Sequence, residues 1–257
     1  KPHRLSHDRL WAWVAERLGC GWSPPPVSGR LRVLFPGDDA MRVCPETVYR
    51  WIHSSKPRRE RRARCLPRGH RRRRKHAGRR VSRFPIPGRV SIAERPPEAD
   101  DRSGFGHWEA DSVIGMGCDL HTEVERRTRF LMARVIPDKT AERSVGARLA
   151  MFAPLPAAAR LSVTHGNGTG FARHARLRDE PGMATYFADP YSSWQRGSNE
   201  NRNGMIRRYL PKRTIIEPGM ARELQEIVDE TDNRPMRALG HRTPAEAFAD
   251  ELPDLQL

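Results

Sequence analysis

The sequence predicts an α/β protein: a mixed sheet flanked by helices, preceded by a small all-helical module and a basic linker. Three observations carry that reading. Residues 8–53 hold short amphipathic helix patterns, and residues 56–89 are dominated by arginine. From Gly106 onwards strand-like runs alternate with helix-like ones, the grammar of a sheet covered by helices. At 257 residues the chain is long enough for one sizeable core plus a smaller module.

In the first module, "DRLWAWVAERL" places Leu10, Trp13, Val14 and Leu18 on one helical face. "SPPPVSGRL" sets Ser23 ahead of Pro24, an N-cap followed by proline at the first helical position. "ETVYRWI" puts Val48, Trp51 and Ile52 on an apolar side and leaves Thr47, Tyr49 and Arg50 to face outwards. Cys44 stands where a helix start favours Ser, and we read it as a weak cap ahead of Pro45. Three short helices with a basic-polar last face suit a helix-turn-helix reader, whose final helix enters the major groove. A generic three-helix bundle fits the same pattern; the adjoining basic segment favours DNA.

The net charge of +16 belongs to that segment. Residues 56–89 hold 16 of the 47 Lys/Arg and a single acid, Glu60, whereas the other 31 basic residues face 30 acids. Within it, Arg71, Arg72, Arg73, Arg74 and Lys75 repel one another unless a polyanion neutralises them. Guanidinium forks match phosphate oxygens, and each neutralised phosphate releases a counterion. Nucleic acid is therefore the expected partner, and a merely solubilising linker the bland alternative. "RFPIPGRVSIAERPPEADDRSGFG" then continues as a Pro/Gly-punctuated tether. The expected organisation is a module over 1–55, a linker over 56–103 and a core over 104–250.

In the core, "HWEADSVIG" and "HTEVERRTRFLMARVI" read as strands, the second long enough for a hairpin. "TAERSVGARLAMF" is a helix capped by Thr140, "ARLSVTH" a short strand, and "FARHARLRDEPG" a helix closed by Pro181-Gly182. "MATYFADP" is a further strand, followed by a loop, a helix from about Ser198, and an amphipathic helix around Leu224, Ile227 and Val228. "RTPAEAF" opens a last helix with a capping-box pattern. The cysteines at 20, 44, 65 and 118 lack the spacing of a zinc site, and no run of about 18 apolar residues proposes a membrane span. No secretory leader is visible at the start.

Two acids stand out. Asp111 sits in an otherwise apolar or small strand, with Glu109 on the same face by two-residue alternation. Glu200, in "GSNENRNG", falls in the first turn of a helix, where the macrodipole favours its ionised form. Carboxylates gathered around one sheet are what two-metal phosphodiester chemistry uses, with ions about 3.5–4 Å apart clamping the attacking and leaving oxygens.

"GHWEADSVIG", "ATYFADPYSSWQRGSNENRNGMIRRYLPK" and "DNRPMRALGHRTPAEAF" together resemble the transposases of the insertion-sequence-thirty family, from about residue 8 to residue 249. The resemblance implies a ribonuclease-H-like, retroviral-integrase-like core of the Asp-Asp-Glu recombinase type. It implies Mg²⁺ or Mn²⁺ as cofactor. It implies double-stranded DNA as partner, both terminal inverted repeats and target, and a homo-oligomer on that DNA. It places the protein in the bacterial cytoplasm, on the nucleoid, and family members often carry a further helix-turn-helix upstream. The catalytic, metal-binding positions of the family map onto Asp111 and Glu200. Trp194, Gln195, Arg196, Asn199 and Asn203 lie beside Glu200 as candidate contacts to the DNA end.

The family's middle strand ends roughly Thr-x-Asp-x-Gly-x-Glu; this chain has Thr164-His165-Gly166-Asn167-Gly168-Thr169-Gly170. The register is intact, with 33 residues between Gly166 and Glu200. Gly166 thus stands at the second catalytic Asp, and Gly170 at the neighbouring Glu. The run lacks the Lys-Ser/Thr ending of a phosphate-binding loop. His165 is expected to point to the opposite face, and imidazole suits magnesium poorly. The expectation is a transposase impaired at its metal site; the alternatives are a catalytically silent binder of transposon ends and, from the arginines alone, an RNA-associated protein.

Overall fold

The computed structural model describes residues 7–53, 86–190 and 192–252. Among them, 7–53 with Arg234–Thr243 form one compact unit, and the remainder a second. The arginine run 71–75 lies outside the described residues, and among the described residues no helix is long and apolar enough to cross a membrane.

The first unit is helical. α1 (Asp8–Gly19), α2 (Pro24–Leu34) and α3 (Pro45–His53) enclose Leu10, Val14, Leu18, Val27, Leu31, Val48 and Ile52. These are the positions that the 3.6-residue period selects, so hydrophobic burial sets the register of each helix. Trp13 packs edge-on against Trp22 with centroids 6.0 Å apart. Ser23 caps α2 through its extended backbone, without a side-chain bond, and the prolines at its start supply the fixed φ. Cys44 precedes α3, its Sγ 3.1 Å from the Thr47 hydroxyl, a contact that holds the thiol below its ordinary pKa. The unit also includes Arg234–Thr243, which no helical period announces. Arg234 donates to the Cys20 carbonyl at 2.9 Å, and Arg30 to that of His241 at 3.3 Å. The His241 ring lies where a Cβ on Gly29 would stand, 2.1 Å away, so only glycine admits the approach.

The second unit is built on a five-stranded sheet of order β4-β3-β1-β5-β6. Its strands are β1 (His107–Val113), β3 (Asp119–Glu125), β4 (Leu131–Ile136), β5 (Ser162–His165) and β6 (Ala184–Phe187). β1, β3 and β4 run antiparallel in sequence, whereas β5 and β6 lie parallel to β1. This is the expected mixed, ribonuclease-H-like sheet. A two-residue strand pair, β2 (Met116–Gly117) with β7 (Ile215–Ile216), forms a second, small sheet.

Each face of the sheet has its own core. On one, Trp108, Ala110, Val163 and Phe187 pack with Val145 and Phe152 of α5 (Ala141–Phe152), Leu177 of α6 (Ala175–Asp179) and Phe248 of α9 (Pro244–Glu251). On the other, Val113, Leu120, Val124 and Leu131 pack with Ile206 of α7 (Gly197–Tyr209) and Leu224, Ile227 and Val228 of α8 (Ala221–Asp232). Even-numbered residues of β1 therefore serve the first core, and Glu109, Asp111 and Val113 face α7. The helix expected over 171–182 is shorter: a 3-10 turn at Thr169–Phe171, then the five residues of α6. Residues 86–103 of the segment read as linker carry a 3-10 turn with a capping box at Ser91–Glu94 and a one-turn helix, α4 (Pro97–Asp100).

Candidate active site

β1 and β5 are parallel neighbours paired Trp108 to Val163 and Glu109 to Thr164. Asp111 lies two residues before the end of β1 and Gly166 one residue beyond the end of β5, and the Arg196 guanidinium reaches both, 3.2 Å from Asp111 Oδ1 and 2.9 Å from where a Gly166 Cβ would stand.

α7 supplies the rest, and it is not held by an apolar stripe. Its buried residues are Ser198, Asn199, Arg202 and Ile206. The backbone N–H of Asn199 donates to Glu109 Oε2 at 2.9 Å, and its amide donates to the Glu109 carbonyl at 2.6 Å. Thr122 closes the group by donating to Asn199 Oδ1 at 3.1 Å. Arg202 is ion-paired with Asp232 of α8, whose carboxylate also accepts from the Leu131 N–H at 3.1 Å. Burial pushes the Asp232 carboxyl up to about 7, against the pull of Arg202. These polar anchors fix which residues of α7 meet the end of β1.

Along the face of α7 towards that end run Arg196, Glu200, Asn203 and Arg207, spaced at three and four residues. Arg196 lies 3.2 Å from Asp111 Oδ1 and donates to the Ala110 carbonyl at 2.9 Å. Asn203 donates to Asp111 Oδ2 at 3.1 Å. Arg207 donates to the Ile114 carbonyl at 2.5 Å, just beyond β1. Glu200 is exposed in the first turn of the helix and makes no hydrogen bond or ion pair among the described residues.

Glu109, the second acid on the Asp111 face, is fully buried and committed: Arg126 pairs with one oxygen and Asn199 with the other. His165 turns to the opposite face as expected, stacked on Phe171 at 5.0 Å and accepting from Arg148 at 3.4 Å. Complete burial and the Arg148 guanidinium hold its imidazole far below its ordinary pKa, so it is neutral. His107 also turns inward, bonded to the Ser162 hydroxyl at 2.7 Å.

Both unusual glycines have cationic or polar neighbours. A Cβ at Gly166 would stand 2.9 Å from Arg196 Nη2, and one at Gly170 would stand 3.1 Å from Ser144 Oγ and 2.8 Å from the Lys139 carbonyl oxygen. Ser144 Oγ and Arg148 Nη2 are buried without a hydrogen-bond partner. Among the described residues, no three His, Cys, Asp or Glu side chains converge as a metal site would require. The remaining candidate contacts divide by exposure. Trp194 is 73% exposed, Gln195 is tied to Asp189, and Asn199 is buried with its amide spent inside the core. In α3, Arg50 is exposed and 3.4 Å from Glu46, while Thr47 and Tyr49 are half-buried. Sequence reasoning did not single out the Arg196–Asp111 contact; the i, i+4, i+7 spacing of Arg196, Glu200 and Asn203 was its available signal.

The central strand of the sheet thus carries one acid, Asp111, and α7, packed on the same face, carries a second, Glu200. No protein-family profile matches the chain. It is 36% identical over 248 residues to the transposase for insertion sequence element IS1086 of Cupriavidus metallidurans, covering 95% of this chain and 73% of the relative. It is 35% identical over 242 residues to transposase InsI for insertion sequence element IS30C of Escherichia coli, covering 91% of this chain and 62% of that one. It is 34% identical over 238 residues to the transposase for insertion sequence element IS4351 of Bacteroides fragilis, covering 91% and 71%. Among solved structures, the catalytic core domain of BIV integrase aligns with a TM-score of 0.46 and 19% identity, over 58% of this chain and 96% of that one. The chain belongs to the insertion-sequence-thirty family of transposases.

Proposed function

We propose that the chain is a transposase with its family's fold and DNA affinity that has lost most or all strand cleavage, because Gly166 stands where the second catalytic Asp belongs. Binding of the inverted repeats would fall to α3, through Thr47, Tyr49 and Arg50, and to Arg71, Arg72, Arg73, Arg74 and Lys75 of the basic segment. Trp194, the exposed aromatic ahead of α7, would stack on the DNA end. The protein would act as a homo-oligomer on nucleoid DNA in the cytoplasm.

The single observation that carries the reading is the environment of Asp111. Both its oxygens are engaged by the chain's own donors, Arg196 and Asn203. Gly166, which the same Arg196 guanidinium covers, offers no side-chain oxygen, and Glu109 is locked in the core. Asp111 and Glu200 remain as metal anchors, one of them already neutralised; this donor set does not fit a pair of divalent ions, which take several carboxylates and water. Ser144 Oγ, buried without a partner 3.1 Å from where a Gly170 Cβ would stand, supports the same history: a donor left behind by a carboxylate that the family's pattern carries there.

The test is cleavage of a duplex bearing the inverted repeat that flanks the gene, in Mg²⁺ and in Mn²⁺. The unaltered chain should bind and leave the duplex intact, and Gly166→Asp, alone or with Gly170→Glu, should nick it. Equal nicking by the unaltered chain would sink the proposal. The second reading, a silent occupant of transposon ends, rests on the same Arg196–Asp111 contact. It is favoured if the chain outcompetes a cleaving relative at the repeats.

A further inference from the structure

The contacts of Arg196 go beyond the loss of a ligand. We propose that Arg196 is a built-in counter-cation: its guanidinium occupies the space over Gly166, neutralises Asp111 and closes the site to divalent metal. The proposal rests on the reading of Asp111 and Gly166 as neighbouring positions of the family's acidic cluster.

Three features of the geometry support it. Nη1 is 3.2 Å from Asp111 Oδ1 and 2.9 Å from the Ala110 carbonyl, so the group is held from two sides along the strand end. Nη2 lies 2.9 Å and Cζ 3.1 Å from where a Gly166 Cβ would be, so the guanidinium fills the room of the missing side chain. The side chain is only 13% exposed and Asp111 30%, so water screens the pair little. Asn203 takes the other Asp111 oxygen. A metal ion would have to displace two donors and then lie against a fixed positive charge. Like charges in one partly buried site disfavour one another, and magnesium sheds water reluctantly even for a good carboxylate set.

The arrangement differs from a simple vacancy in what it predicts. If Gly166 merely removed a ligand, the remaining Asp111 would still recruit a metal weakly, whatever residue stands at 196. If Arg196 is the plug, the charge at 196 sets the metal affinity, and restoring Asp at 166 alone gives less than restoring it with 196 neutral. The far end of a long side chain can swing aside for an Asp at 166, but its charge remains nearby to pair with both carboxylates.

The experiment counts free Mn²⁺ by electron paramagnetic resonance in titrations of the full chain, Arg196→Gln, Gly166→Asp and the double variant, without DNA. Arg196→Gln keeps a hydrogen-bond donor for the Ala110 carbonyl. Arg196→Lys, which keeps the charge, serves as second variant, and circular dichroism confirms folding of each. Mn²⁺ affinity should rise at least about tenfold on Arg196→Gln in both backgrounds, as expected for removing one charge from a partly screened site, and should stay low with Arg196→Lys. Adding Asp111→Asn should abolish the gain. Affinity that ignores residue 196 in both backgrounds overturns the proposal, and so does a gain that survives Asp111→Asn. Failure of the underlying reading looks different: the unaltered chain would take up Mn²⁺ as tightly as Gly166→Asp.

Discussion

Asn199 and Glu109 are bound to one another twice, backbone N–H to carboxylate at 2.9 Å and side-chain amide to carbonyl at 2.6 Å. This pair, with Thr122, seats α7 on the central strand in place of an apolar stripe. Truncation of Asn199 removes the amide donor to the buried Glu109 carbonyl and leaves the Thr122 hydroxyl only its longer, 3.4 Å contact to the Asp111 carbonyl, a loss that costs about 1–3 kcal/mol. Asn199→Ala should therefore lower the midpoint of denaturant unfolding while leaving DNA affinity of the folded protein unchanged. The reverse pattern, unchanged stability with weakened DNA binding, would return Asn199 to the DNA surface.

The two glycines should answer differently to a side chain. At Gly166 the atom in the way is the end of the Arg196 side chain, whereas at Gly170 it is the backbone oxygen of Lys139. A guanidinium can swing, but a carbonyl at the start of a helix moves only with its segment. Gly166→Ala is expected to change stability by less than about 0.5 kcal/mol, and Gly170→Ala to destabilise by about 1–3 kcal/mol through overpacking. Gly170→Glu should recover part of that loss through Ser144, whose buried hydroxyl lacks a partner and lies 3.1 Å from the Cβ position. Thermal unfolding of the three variants decides it; a Gly170→Ala protein as stable as the parent would mean that the Lys139 segment yields freely.

What could be read from the sequence, and what could not, follows from the kind of force at each position. The helices around Leu10, Val14 and Leu18, and around Leu224, Ile227 and Val228, were legible because burial at a 3.6-residue period leaves a local signature. Asp111 and Gly166 are singled out by family pattern, and the strands that lead to them, β1 and β5, are parallel neighbours. Arg196 over Gly166 was not legible, because a long side chain's destination depends on the tertiary gap it finds. Nor was the seating of Arg234–Thr243 on the helical unit, where single carbonyl contacts such as Arg234 to Cys20 leave no periodic trace.

The pH dependence of stability should carry the mark of His165. Its imidazole is buried and kept neutral, so its folded-state pKa lies well below the ordinary 6.5. Below 6.5 the unfolded chain binds a proton there that the folded chain refuses. Stability is thus full above 6.5 and falls with acidification, by up to about 1.4 kcal/mol per pH unit for one proton. His107, also lowered by burial, acts in the same direction. Unfolding free energies of the chain and of His165→Gln between pH 7 and 5 should differ in slope, the variant being flatter. Parallel slopes would show that His165 takes up its proton in the folded state.

Trp194 offers the sharpest separation of surface from core. Its side chain precedes α7 with 73% of the residue exposed, and it makes no ring contact among the described residues, unlike Trp108, which is buried against Phe152 at 5.2 Å. An anchor of the loop to the core would be buried, so the exposure favours a stacking platform for a DNA base. Trp194→Ala should leave unfolding free energy within about 0.5 kcal/mol of the parent, as for other surface changes. Its affinity for a repeat duplex with a frayed or single-stranded end should fall by about 1–3 kcal/mol, the usual worth of one aromatic–base stack. Affinity for a fully paired internal duplex, where no base is free to stack, should not change. A variant that unfolds more easily and binds both duplexes as before would make Trp194 a structural residue of the loop.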